Sequence, residues 1–230
     1  MSLERALAEL ADAGLGLAGA LAIAEYDSLV PEPWRSSQLA PGARGALVVG
    51  NAGRELWERF AASPERALEI DPLDAYTRRV LARSAALCEP AAVVGFYADR
   101  RDGVYLPLVA LARRAGFGAP GRVGVLIHPR YGPWIGIRAV LLVVESFEPR
   151  EPAPWSPCDG CAAPCASACH GGLVGAGGVD AQACYRIRLT LPECALACDA
   201  RRACVVGREH AYSAEQTAHH SRIRSAPQSR

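Results

Sequence analysis

The chain predicts an α+β (mixed α/β) fold, with a sheet domain over residues 1–150 and a small cysteine-bearing module over 151–230. Three observations predict it. Strand and helix signals alternate through the first 145 residues, and two long apolar stretches there are separated by only about six residues, which is too short for a parallel crossover. Eight of the nine cysteines fall within residues 158–204. A Pro-rich stretch, Glu148–Pro157, with four prolines in ten residues, separates the two regions.

In chain order, residues 2–13 read as a short amphipathic helix. The apolar run Leu15–Ala24 reads as a first strand. Pro31, Pro33 and Pro41 mark a loop leading to a buried strand, Ala46–Val49. Asn51 reads as the N-cap of a helix through about Ala62, and Asp71 as the cap of the next, with Pro72 at its first position and Tyr76, Val80, Leu81 and Leu87 on one face. A strand over 91–97, a helix over 105–115, and strands Val123–His128 and Trp134–Glu145 follow. The last two are expected to pair antiparallel. Past the cysteines, Ser213 with Gln216 forms a capping box for a final helix, and the chain is expected to fray beyond about Ile223.

At 230 residues and 50% hydrophobic content, one good core and a small appended module are affordable. The formal net charge is +1 and no run of like charge appears, so neither a nucleic-acid stripe nor a membrane-surface patch is indicated. No apolar run approaches the ~20 residues of a membrane span. The run Leu15–Ala24 follows Glu4, Glu9 and Asp12 without a basic segment, so it does not read as an export signal and a cytoplasmic location is expected. All basic residues are arginine, a bias of GC-rich bacterial coding sequence.

The cysteines form two runs: Cys158, Cys161, Cys165 and Cys169, spaced C-x2-C-x3-C-x3-C, then Cys184, Cys194, Cys198 and Cys204. Eight thiolates suffice for two 4Fe–4S clusters, and in two-cluster ferredoxins the fourth cysteine of a run ligates the other cluster. The first run has one more residue between its second and third cysteines than a bacterial ferredoxin, and His170 where a ferredoxin has proline. Structural zinc remains open, although only Cys158/Cys161 makes a knuckle spacing. Disulfides remain open too, and would need an oxidising compartment. The module is too small and glycine-rich to make a core without metal. Trp155 and Pro157 are expected to shield its cluster side. Cys88, with apolar company near a helix end, reads as a packed thiol.

Gly116, Gly118 and Gly121 end a helix and precede a strand, the wrong context for a dinucleotide fingerprint. The stretch that follows, Gly124-Val-Leu-Ile-His-Pro-Arg-Tyr-Gly-Pro-Trp-Ile-Gly-Ile-Arg138, resembles the strand–loop–strand of the CblC-type (MMACHC-like) cobalamin-processing proteins. Asp71-Pro-Leu-Asp74 and Tyr212-Ser213-x-Glu215-Gln216 are also similar to theirs. A second resemblance is to epoxyqueuosine reductase, a cobalamin and iron–sulfur enzyme. It rests on Ala115-Gly-Phe-Gly-x-x-Gly121, the His-Pro-x-x-Gly-x-Trp stretch, Cys-x2-Cys and Val179-Asp-Ala-Gln-Ala-Cys184. Together the two resemblances span about residues 40–220.

These resemblances imply a nitroreductase/CblC-like corrinoid-binding sheet domain followed by a ferredoxin-like module. They place Leu126, Ile127, His128, Pro129, Tyr131, Trp134 and Ile137 around a corrin ring, with His128 fixing its loop rather than ligating cobalt. They make Arg138 an anchor for a thiol co-substrate, and put Ala211 where the second anchoring arginine of the CblC-type proteins stands. Asp102 falls where epoxyqueuosine reductase has its proton-donating aspartate, and reads equally as a turn carboxylate beside Gly103.

The implied cofactors are cobalamin and two 4Fe–4S clusters, held by all eight clustered cysteines. The implied partners are cobalamin, as substrate or cofactor, and an electron donor such as a ferredoxin or flavoprotein. A tRNA substrate belongs only to the epoxyqueuosine-reductase reading, and a non-catalytic carrier is the remaining alternative.

Overall fold

The computed structural model describes residues 3–151 and 154–221. It divides into two compact units, residues 1–118 with 135–154, and 119–134 with 155–230. The stretch 119–134 thus belongs with the cysteines rather than with the sheet.

The first unit is α+β, built on a four-stranded antiparallel sheet. Strand Gly45–Ala52 lies between Leu17–Ala22 and Ile135–Val143, and Val93–Phe96 pairs on the far side of Ile135–Val143. The two central strands are apolar nearly throughout, as two-sided burial requires. Helices Leu3–Asp12 and Pro72–Ala85 and the aromatic residues Trp57, Phe60 and Tyr76 complete one core against the sheet. Cys88 lies in that core with its thiol pushed up by burial, as a packed thiol would be.

Several local expectations are corrected. The Leu15–Ala24 run is a strand only to Ala22; a helix starts at Ile23 because Glu25 accepts a hydrogen bond from the Ala22 backbone N–H at 3.0 Å, capping the turn. Asn51 does not cap a helix. It lies within strand Gly45–Ala52, and the next helix is Glu55–Ala61. Asp71 does precede helix Pro72–Ala85, but in a left-handed conformation and without a side-chain cap. Strand Leu126–Ile127 is short and pairs with Ala119–Pro120, because the 121–124 turn folds the chain back on itself; Ile135–Val143 finds its partners in the sheet instead.

The second unit has little regular structure: helix Ala181–Thr190, several single-turn helices and the final helix Ala214–Ser221. The Ser213 cap forms, its Oγ accepting from Gln216 N at 3.1 Å. The expected frayed end beyond Ile223 lies outside the described residues, as do Ser2 and Pro152. No helix among the described residues is long and apolar enough to cross a membrane.

Candidate functional site: two four-cysteine cavities and the His128 loop

Within the second unit the eight cysteines sort into two cavities. The first is lined by Cys158, Cys161, Cys165 and Cys204, the second by Cys169, Cys184, Cys194 and Cys198. They enclose about 340 and 380 Å³ of space not filled by atoms, part of it open to solvent. Each takes three cysteines from one run and the last cysteine of the other. Electrostatics repeats the sorting. Burial pushes the Cys165 thiol up, and Cys158, Cys204 and Cys161 push it further. Burial likewise raises Cys184 and Cys194, which feel Cys169 and Cys198. No three described His, Cys, Asp or Glu side chains converge on a single-ion position.

Backbone N–H groups point at the sulfurs of the first cavity. Arg122 N donates to Cys158 Sγ and Ala163 N to Cys161 Sγ, both at 3.4 Å. Such bonds stabilise negative charge on sulfur. Ala163 reaches its place in a left-handed conformation (φ 54°) just before Pro164 opens a helical turn carrying Cys165. Pro157 lines this cavity, as does Ile127, the residue before His128; Trp155 does not. At the second cavity, His170 Nε2 sits 2.8 Å from Asp199 Oδ2. His170 directly follows Cys169 in the sequence, and Asp199 directly follows Cys198.

The His128 loop is held against the segment after Cys204 by two glycines. A Cβ on Gly132 would meet Val206 O at 2.0 Å, and one on Gly207 would meet the Tyr131 carbonyl carbon at 2.4 Å, so neither tolerates a side chain. His128 Nδ1 accepts from the N–H groups of Arg130 (3.1 Å) and Tyr131 (3.2 Å), and its backbone pairs with Gly132. Its ring packs on Tyr131, which packs on His210. Leu126 and Trp134 are buried, Tyr131 is half-buried and Pro129 is exposed. Trp134 lies edge to face with Tyr212, with Arg201 over both rings and donating to Pro133 O. No sequence signal marked Arg201.

Burial holds the His128 pKa below its usual 6.5, helped by Arg130 and His210. Since the folded value is depressed, the stability this ring supplies is full above about 6.5 and is lost as pH falls toward the depressed value. The wild type should therefore lose stability below pH 6.5 more steeply than His128→Asn, whose amide oxygen accepts the same bonds without titrating. Denaturant melts from pH 5 to 8 check this, and parallel curves would deny His128 that role.

In the first unit, Arg138 is 8% exposed and donates through Nε to Asn51 Oδ1 at 2.9 Å; among the described residues it has no carboxylate partner. It is therefore not a solvent-face ion pair. Asn51 is fully buried, and its Nδ2 has no partner. Asp74, from the Asp71-Pro-Leu-Asp74 motif, accepts from Tyr97 OH at 2.7 and 2.8 Å. Burial first, and then Asp74, push the Tyr97 phenol pKa well up. Tyr97 and Ile137 line an open, mainly apolar groove with residues 106–110. Asp102 is exposed at the tip of a two-residue hairpin, Arg100–Arg101 to Val104–Tyr105, with φ 49° followed by Gly103 at 77°. Two positive φ angles make a type I′ turn, for which Asp-Gly is a preferred pair.

Comparison with solved structures gives the fold. The fold is shared with an epoxyqueuosine reductase from Bacillus subtilis with its catalytic aspartate loop swung out of the active site (TM-score 0.56, 16% identity, 92% of this chain and 66% of that chain). It is shared with the B12-trafficking protein CblC of C. elegans (0.59, 14%, 96% and 91%) and with a catabolic reductive dehalogenase in complex with 3-bromo-4-hydroxybenzoic acid (0.54, 16%, 90% and 32%). At these identities the likeness is one of fold. The chain spans just under two thirds of the reductase and about a third of the dehalogenase. No family model and no curated protein matches it.

Proposed function

We propose that this chain is a corrinoid-binding iron–sulfur redox protein that reduces and decyanates cobalamin with electrons from two 4Fe–4S clusters. The observation that carries the reading is the sorting of eight cysteines into two four-cysteine cavities across the two runs, the ligation scheme of two-cluster ferredoxins. The donor set fits: sulfur throughout, backbone N–H groups aimed at two sulfurs, and little apolar core for the unit to fold on otherwise. Such clusters supply low-potential electrons, which removal of an upper cobalt ligand requires.

The chain's own residues do the rest. Cys158, Cys161, Cys165 and Cys204 hold one cluster, and Cys169, Cys184, Cys194 and Cys198 the other. Leu126, Ile127, His128, Pro129, Tyr131, Trp134 and Ile137 form the corrinoid site. Ile137 offers it an apolar surface, His128 fixes the loop, and Arg138 serves as the anion anchor. With Ala211 in place of a second arginine, glutathione binds poorly.

A second reading, an epoxyqueuosine-reductase-like catalyst acting on a tRNA base, is favoured by Asp102 at an exposed turn, since the Bacillus subtilis structure has an aspartate-bearing catalytic loop swung out of its active site. Asp102→Asn leaves cobalamin reduction unchanged under the first reading and abolishes tRNA-base reduction under the second.

Anaerobic reconstitution should yield about eight irons and matching sulfide per chain, with visible absorbance that bleaches on reduction. Stoichiometric zinc without sulfide would refute the cluster assignment. Titrated cobalamin should lose its dimethylbenzimidazole ligand, and Ile137→Arg should weaken binding by about tenfold or more, the loss of ~1.4 kcal/mol of apolar contact. An unshifted spectrum at saturating protein would refute corrinoid binding.

A further inference from the structure

A third cavity in the second unit adjoins the second four-cysteine set, sharing Cys184 and Cys198 with it, but carries a basic and aromatic lining of its own. It encloses about 700 Å³ of non-atom space, part of it open to solvent. Arg188, Arg201, Arg202 and His220 line it, as do the rings of Trp134 and Tyr212. Arg188 donates to the Ser221 carbonyl and Arg201 to the Pro133 carbonyl. The Arg202 guanidinium has no hydrogen-bond partner among the described residues, and none of the three arginines pairs with a described carboxylate. Three guanidinium groups meeting one cavity without a described carboxylate give it a positive field.

Two buried polar atoms on the same wall lack partners: Trp134 Nε1, in a side chain 2% exposed, and Thr217 Oγ1, in one 9% exposed. Buried donors in a native protein are almost always satisfied, and an orphaned pair on two residues that line one cavity asks for an acceptor, which a small side-chain adjustment brings within reach. A water would serve one of them, but it would leave the positive field unanswered.

We propose that this cavity binds a small organic anion with an oxyanion head and an apolar body. The head takes bonds from Arg188, Arg202, Trp134 Nε1 and Thr217 Oγ1. The body lies along Val123, Val125 and the Trp134–Tyr212 pair, whose faces suit an aromatic or aliphatic group. Arg201, spent on holding Pro133 and stacking on both rings, orients this wall rather than carrying the anion. Because Cys184 and Cys198 also line this cavity, the charge of whatever they hold adds to its field, so the iron content of each sample is part of the test.

Isothermal titration of the full chain, anaerobically reconstituted and assayed for iron in the same sample, tests it. The probes are benzoate and phenyl phosphate, with benzyl alcohol as the neutral control at constant ionic strength. At least one anion should bind saturably, about one per chain, while benzyl alcohol does not. Which anion wins separates a carboxylate head from a phosphate head. Arg188→Gln and Arg202→Gln should each weaken binding about tenfold or more, and the isosteric Thr217→Val about fivefold, as loss of one hydrogen bond implies. Absence of saturable binding by either anion overturns the proposal. So does equal binding of benzyl alcohol, or wild-type affinity in both arginine variants and in Thr217→Val. Iron content in each sample keeps loss of the cysteine-bound centres distinguishable from loss of the anion.

Discussion

Replacing Cys165 and Cys169 together with serine will remove both iron–sulfur centres, whereas replacing Cys165 and Cys204 will remove only one. The first pair lies in one sequence run but lines two cavities; the second pair lies in different runs but lines the same cavity. Each cluster needs four thiolates, and losing one of them typically strips or degrades the cluster. Reconstituted Cys165→Ser/Cys204→Ser protein should therefore keep about half the iron of the wild type, and Cys165→Ser/Cys169→Ser close to none. Run-by-run ligation predicts the reverse ordering. Iron and sulfide analysis decides between them, and circular dichroism of the first unit's helices controls for collapse of the whole chain.

A second large effect is expected on electron delivery. Cys161→Ser/Cys194→Ser takes one ligand from each cavity and touches no residue assigned to the corrinoid site. Cobalamin affinity should stay within about twofold of wild type, while reduction of cobalamin by pre-reduced, desalted protein should fall by about two orders of magnitude or more. Glutathione should not restore it, because Ala211 supplies no guanidinium. Rapid decyanation by the double variant, or full turnover on glutathione alone, would make the cysteine unit structural and return the chain to a thiol-dependent processor.

Much of the frame was legible in the residues. The continuous apolar runs of the two central strands, the Pro72 start of helix Pro72–Ala85 and the Ser213 cap all carry local physics that tertiary contacts leave in place. Legibility failed where a distant partner decided the outcome. Asn51 has the chemistry of a helix cap, but it lies in the sheet, where its side-chain oxygen accepts from Arg138, 87 residues away. Leu126–Ile127 has the pattern of a long strand, but the 121–124 turn gives it a nearer partner.

The cysteine sets show the same limit at the candidate site. Spacing names eight sulfurs and suggests two clusters, but the pairing of Cys204 with Cys158 depends on the path of residues 170–203, which no local pattern describes. The oxyanion cavity was invisible for a like reason. Arg188, Arg201 and Arg202 are ordinary surface residues in the sequence, and only the fold brings them to Trp134 and Thr217.

The central claim is that cluster electrons reach a corrinoid held by this same chain. Stopped-flow mixing of anaerobically reconstituted, dithionite-reduced and desalted protein with cyanocobalamin measures it directly. Loss of the reduced-cluster signal and appearance of reduced cobalamin should proceed with one shared rate constant that is independent of protein concentration at saturation. Cobalamin that stays oxidised while the protein stays reduced, or a cobalamin signal that appears equally fast with iron-free protein, would contradict it.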